Sequence, residues 1–185
     1  METKAEPVGR VAKPGLQIED LRSDVARLSA EDFKNQHGNA FLLLSTAGFK
    51  QSKSATSTEV LLLDLDEDIG ERTAGVSVRI LPIRAGKSSL IHLITIGRTS
   101  KNDVTLSDIS VSRFHAFFKH NPAGGFQLYD AGSTNGTTVN GCSVPTKEAG
   151  PPMNVTSGDN IRFGQVDVTF LDADALRSYV AKFGD

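Results

Sequence analysis

The first apolar positions to recur with a clear period are Ile18, Leu21, Val25 and Leu28. They fall three or four residues apart, with Glu19 and Asp20 early and Arg27 late, where each charge suits the helix dipole. The spacing predicts an amphipathic helix over 16–28. Ser29, followed by Glu31, Asp32 and Phe33, reads as the cap of a second short helix, which Gly38 would end. Phe41-Leu42-Leu43-Leu44 is a short apolar run, read as a buried strand. Residues 45–58 (with Ser52, Ser54, Thr56, Ser57 and Thr58) read as a loop, 59–65 as another strand and Asp64 to Glu71 as an acidic turn. Residues 1–15, with Pro7, Gly9, Pro14 and Gly15, read as a disordered tail.

After Gly75 the pattern changes. Short strand-like runs alternate with Gly, Pro, Asn and Asp turns, at 76–83, 89–97, 103–106, 114–120, 126–130, 137–139, 142–144, 160–163 and 166–171. Val166, Val168 and Phe170 alternate with Asp167 and Thr169, the period-two mark of a half-buried strand. Many short strands argue for an all-β sandwich. Asp172 then caps a last helix with Leu176 and Val180 on one face. The expected organisation is a tail over 1–15 and an extension over 16–75 that is packed on, or tethered to, a β-sandwich over 76–172. A C-terminal helix covers 173–185.

Charge sharpens this division. Residues 1–75 hold nine Lys and Arg against thirteen acids, and residues 76–185 hold eleven against nine. An acidic N-terminal part is joined to a mildly basic β-rich part, and the net charge of −2 argues against a nucleic-acid partner. The single cysteine, Cys142, rules out an internal disulfide and fits a reducing compartment. No apolar run is long enough for membrane insertion. The N-terminus lacks the pattern of an export signal. The expected location is cytoplasmic.

Four pieces of the β-rich part carry candidate chemistry. They are Ile96-Gly97-Arg98 with Ser100 to Val104, Asp108 to Ala116, Tyr129 to Thr137 with Val139-Asn140-Gly141, and Gly158 to Gly164. Three of them fall where strands give way to loops, and loops at one end of a sandwich can converge on a site. They supply Arg98 and Arg113 as cations and Ser112, Thr134 and Asn135 as short neutral donors. Gly97, Gly132 and Gly136 permit tight turns. Such a set suits an anion with several oxygens. A phosphorylated side chain is one, with about −1.5 to −2 charge and three acceptor oxygens. The Asn-Gly pairs at 135–136 and 140–141 also suit hairpin turns.

The ordered series Gly-Arg, Ser-x-x-His, Ser-Thr-Asn-Gly-Thr and Gly-Asp-x-Ile-x-Phe-Gly resembles the forkhead-associated (FHA) domain over residues 76–172. The resemblance implies a two-sheet sandwich of about eleven strands whose loops bind phosphothreonine peptides. Arg98 would pair with the phosphate, Ser112 would donate its hydroxyl to it, and Arg113 would add a second cation. Thr134 would shape the site, and Asn135 would hold the peptide backbone. His115 would brace the Ser112 loop from behind, with Gly97 and Gly136 permitting the turns. The fold class expected is therefore mainly β, with a helical N-terminal extension and a C-terminal helix. The function expected is a phosphothreonine-binding signalling adaptor acting downstream of a Ser/Thr kinase, its partner a phosphorylated kinase or kinase substrate.

Other chemistries fit less well. His115 beside Ser112 suggests a nucleophile and base, yet no third orienting group is evident. Gly86-Lys87-Ser88 would need a glycine at 81, where Leu81 stands, to end a phosphate loop. Asp64-x-Asp66-x-Asp68 lacks the glycine and the terminal glutamate of a calcium loop, having Ile69 and Gly75 there. His37, His92, His115, His120 and Cys142 show no metal-ligand spacing. The expectation is a non-enzyme without cofactor or metal. The competing reading is a phosphate-independent scaffold that uses the sandwich and the N-terminal helix. An intramolecular contact is also expected: Thr56 or Thr58, once phosphorylated, or the acids at 64–71, would reach the basic site at high effective concentration.

Overall fold

The computed structural model describes residues 15–45, 78–86, 92–122 and 124–182. The expected tail up to residue 14, the Ser/Thr-rich loop, the strand at 59–65, the acidic turn and Lys87-Ser88 lie outside the described residues.

Two helices open the described part, α1 (Ile18–Arg27) and α2 (Ala30–His37), and α3 (Ala173–Lys182) ends it. Between them run β1 (Ala40–Ser45), β2 (Val78–Pro82), β3 (Ile94–Gly97), β4 (Val104–Thr105), β5 (Ala116–His120) and β6 (Phe126–Asp130). Then come β7 (Thr137–Val139), β8 (Cys142–Ser143), β9 (Met153–Val155), β10 (Asn160–Phe163) and β11 (Val166–Asp172). Six strands form one sheet in the order β2-β1-β11-β10-β7-β8, and five form the other in the order β4-β3-β5-β6-β9. The β3–β4 pair is parallel. The fold is a mostly β two-sheet sandwich with helices at both ends of the described part.

The core lies between the sheets, where Leu42, Ile96, Phe118, Leu128, Ile161 and Phe163 are fully buried. A second apolar cluster covers the outer face of the six-stranded sheet. There Leu21, Phe33, Leu176 and Val180 of the helices meet Phe41, Leu43, Ile80 and Leu171 of the strands. β1 pairs with β2 on one side and β11 on the other. Its Ala40 and Leu42 join the inter-sheet core, while Phe41 and Leu43 join the helical cluster. A strand covered on both faces needs a continuous apolar run, and 40–44 is one.

Local sequence explains the helix ends. Ser29 Oγ accepts from Asp32 N–H at 3.1 Å, and Gly38 closes α2 at φ +111°. Asp172 Oδ1 accepts from Ala175 N–H at 2.8 Å at the start of α3. Arg177 donates to the carbonyls of Val25 and Leu28 and lies over the Phe33 ring, so α3 ties down the end of α1.

Two features depart from the sequence reading. β9 falls within a stretch that carried no strand signal, because Pro151 and Pro152 precede it and Asn154 interrupts the apolar positions. Asn140 and Gly141, at φ +49° and +81°, join β7 to β8 as the two-residue hairpin turn expected. Asn135-Gly136 makes no hairpin: β6 and β7 lie in different sheets, so the loop between them crosses the sandwich edge. That crossing brings Thr134 and Asn135 to the other loops at this end.

Candidate functional site

Arg98, Ile109, Ser110, Val111, Ser112, Arg113, Phe114, Thr134 and Asn135 line one open concavity of about 450 Å3. Arg98 follows β3, residues 109–114 form the connection from β4 to β5, and Thr134 and Asn135 lie between β6 and β7. The five residues expected to contact a ligand are thus brought together. Gly97, His115 and Gly136 stand behind them.

His115 joins the loops. It is fully buried. Its Nδ1 accepts from Ser112 N–H at 2.9 Å, and its Nε2 lies 3.0 Å from the Gly136 carbonyl. The first contact needs an unprotonated Nδ1 and the second a proton on Nε2, so the geometry selects the neutral Nε2–H tautomer. Burial lowers the imidazole pKa, against smaller opposing effects of the Gly136 carbonyl and Asp130. With no third group turning it into a base and both nitrogens engaged, this histidine braces Ser112.

The loops are also tied directly. Thr134 N–H donates to Ser112 Oγ at 3.0 Å, and Arg98 N–H donates to the Ser112 carbonyl at 2.9 Å. Asn135 Nδ2 donates to the Ser110 carbonyl at 2.8 Å, which leaves Oδ1 as its remaining acceptor. Gly97 packs so closely that a Cβ there would run into the Arg113 carbonyl and lie 2.7 Å from Asn102 Nδ2. Asn102, itself buried, donates to the carbonyls of Thr99 and Arg113.

Sequence reasoning missed three supporting residues. Ser110 is buried; its Oγ donates to Asp108 and accepts from Gln165 N–H, linking the β4–β5 loop to the β10–β11 turn. Asp108 holds the start of this loop through Ser110 N–H and Oγ, and those bonds lower its pKa. Asp130 accepts from the backbone N–H of Gly132 and Ser133 and from the hydroxyls of Ser133 and Thr137. Burial would raise its pKa, but these four bonds outweigh it, and the carboxyl is held below its ordinary value. An Asp two residues before a Gly-Ser pair was the available signal.

Among the described residues, neither Arg98 nor Arg113 has a side-chain hydrogen bond or ion pair, and no carboxylate lines the concavity. Exposed guanidinium groups beside hydroxyl and amide groups make a site for a multiply charged oxyanion. No cluster of three or more His, Cys, Asp or Glu side chains able to hold a metal occurs among the described residues. No helix among them is long and apolar enough to cross a membrane.

Known proteins match part of the chain. An oxoglutarate dehydrogenase inhibitor of Corynebacterium efficiens is 38% identical over 81 residues, covering 44% of this chain and 52% of the relative. The glycogen accumulation regulator GarA of Mycolicibacterium smegmatis is 37% identical over 75 residues, covering 40% of this chain and 43% of GarA. The chain spans about half the length of the curated relatives it matches. A solved structure of Mycobacterium tuberculosis EmbR with a low affinity phosphopeptide is 27% identical, covers 50% of this chain and 21% of that one, and has a TM-score of 0.41. The FHA domain family model matches residues 94–164, the segment that contains every residue lining the concavity. Residues 94–164 of this chain thus match the forkhead-associated domain.

Proposed function

We propose that this protein is a signalling adaptor that binds phosphothreonine peptides downstream of a Ser/Thr protein kinase. One observation carries the reading: two unpaired, exposed arginines share a carboxylate-free concavity with Ser112, Thr134 and Asn135. A phosphothreonine presents two charges and three acceptor oxygens to such a site. In this reading Arg98 pairs with the phosphate, Ser112 donates its hydroxyl and Arg113 supplies a second cation. Thr134 shapes the pocket. Asn135, its amide nitrogen already held by Ser110, offers Oδ1 to a peptide N–H. The names of the relatives, an inhibitor and a regulator, fit a protein that acts by binding. A phosphorylated kinase or kinase substrate is the partner class, in the cytoplasm.

The scaffold alternative loses part of its surface. The apolar face of α1, with Leu21 fully buried, is covered by its own sheet and by the other helices. Internal occupation of the site by Thr56 or Thr58 after phosphorylation, or by the acids of 64–71, belongs to the proposal. Mass spectrometry of kinase-treated protein that finds no phosphate on either threonine would exclude the phosphorylated form.

Titration calorimetry tests the main reading. A phosphothreonine peptide is expected to bind and its unmodified form not to. Arg98→Ala should weaken the phosphopeptide by at least about 30-fold, the scale of losing one partner of a hydrogen-bonded charge pair. Equal binding of both peptides, or normal binding by Arg98→Ala, would reject it.

A further inference from the structure

Two large hydrophobic residues are exposed among the described ones: Ile109, at 88%, and Phe114, at 40%. Both line the concavity of Arg98 and Arg113. One exposed aliphatic side chain carries little meaning; two in the same polar concavity form a patch that marks contact with a partner.

The turn does not require an apolar side chain at Ile109. Ile109 sits in a turn held by its neighbours. Val111 N–H donates to the Asp108 carbonyl at 3.1 Å, and Ser110 N–H and Oγ donate to Asp108 Oδ1 at 2.8 and 2.6 Å. A polar residue would serve that turn and leave less apolar surface in water. Phe114 is fixed from behind. Its ring stacks on Phe117 at 6.2 Å and 17°, and Phe117 stacks on Tyr129 at 5.0 Å and 12°. Lys119 Nζ lies 5.2 Å from the Tyr129 ring centroid and closes the stack. The exposed part of the Phe114 ring is therefore preorganised, and little entropy is lost when a ligand covers it.

We propose that Ile109 and Phe114 form an apolar subsite, so that the preferred ligand is a phosphothreonine peptide with a bulky aliphatic or aromatic side chain close to the phosphothreonine. This rests on the phosphopeptide reading above. The arginines recognise the dianion wherever it occurs and tell one phosphopeptide from another only weakly. Burying apolar surface beside them supplies that discrimination. A peptide with polar flanks leaves Ile109 in water, whereas one with a Leu or Phe flank covers it.

Calorimetry on the full chain tests this with three peptides of equal length: a phosphothreonine peptide flanked by Leu and Phe, the same peptide flanked by Ser and Gln, and the unphosphorylated Leu/Phe peptide. The apolar phosphopeptide is expected to bind about tenfold more tightly than the polar one. Ile109→Ser, which removes no core contact at 88% exposure, should abolish most of that advantage. Equal affinities in the native chain, or an advantage that survives in the Ile109→Ser, Phe114→Ser double variant, would overturn the subsite while leaving the phosphate site standing. Failure of both phosphopeptides to bind would reject the phosphopeptide reading and the subsite with it. Concentration-dependent dimerisation seen by sedimentation and lost in Ile109→Ser would assign the patch to a second copy of the chain and equally overturn the subsite.

Discussion

His115 couples the candidate site to pH through stability. Burial holds its pKa below the ordinary value of 6.5. The unfolded chain thus takes up this proton more readily than the folded one, and stability falls with falling pH wherever the unfolded state binds more protons. The contribution is complete above about pH 6.5 and is lost as the pH drops below it. Asp130, held below its ordinary 3.8, has the same sign in a lower window: its contribution is lost as the pH falls below that value. Urea midpoints are expected to stay level above about pH 7 and to decline as the pH falls below about 6.5, a decline that His115→Gln should flatten. An unchanged decline in the variant would assign that window to other groups. The arginines and small donors were legible at this scale because they recur in a recognisable order. Ser110, Asp108 and Asp130 were not. Their role lies in bonds between loops, and Ser and Asp in loops otherwise signal only turns.

Elements with a strict period were read nearly to their ends. β11 was visible in the alternation over 166–170, and α1 in four apolar residues at helical spacing. β9 has neither a long run nor a clean alternation; it exists because it pairs with β6, which no local signal shows. α3 follows the end of β11 remote from the Gly164-Gln165 turn that abuts the site, so helix packing and ligand binding should separate. Leu176 is fully buried among Leu21, Phe33 and Phe41. Leu176→Ala is expected to cost about 2–5 kcal/mol in chemical denaturation. Affinity per folded molecule for a phosphothreonine peptide should stay within about twofold of native. A large loss of affinity in that folded variant would mean that the helical layer shapes the loops across the sheet.

At the scale of the molecule, the sequence suggests a boundary near residue 76, where the texture becomes strand-rich, but hydrogen bonding joins the two sides. β1 lies between β2 and β11, with Phe41 opposite Leu171 and Pro82, and Leu42 opposite Phe170 and Leu81. A one-dimensional pattern cannot show this, because the strand that fills the gap lies more than a hundred residues from β11 in sequence. We propose that residues 15–45 belong to the folding unit of the sandwich. A fragment of residues 76–185 would leave β11 as a bare edge, strip the β1 partner from β2 and uncover Leu171 and Leu176. Fully buried side chains such as Phe41 and Leu42 each contribute roughly 1.5–3 kcal/mol. Losing β1 and both N-terminal helices would then remove an amount comparable with the whole stability of a domain, about 5–15 kcal/mol. The fragment is expected to aggregate or to melt without a cooperative transition, while the full chain gives one sharp transition by calorimetry. A fragment that melts cooperatively near the temperature of the full chain would show that β2 and β11 can close the sheet without β1. It would restore residue 76 as a true boundary.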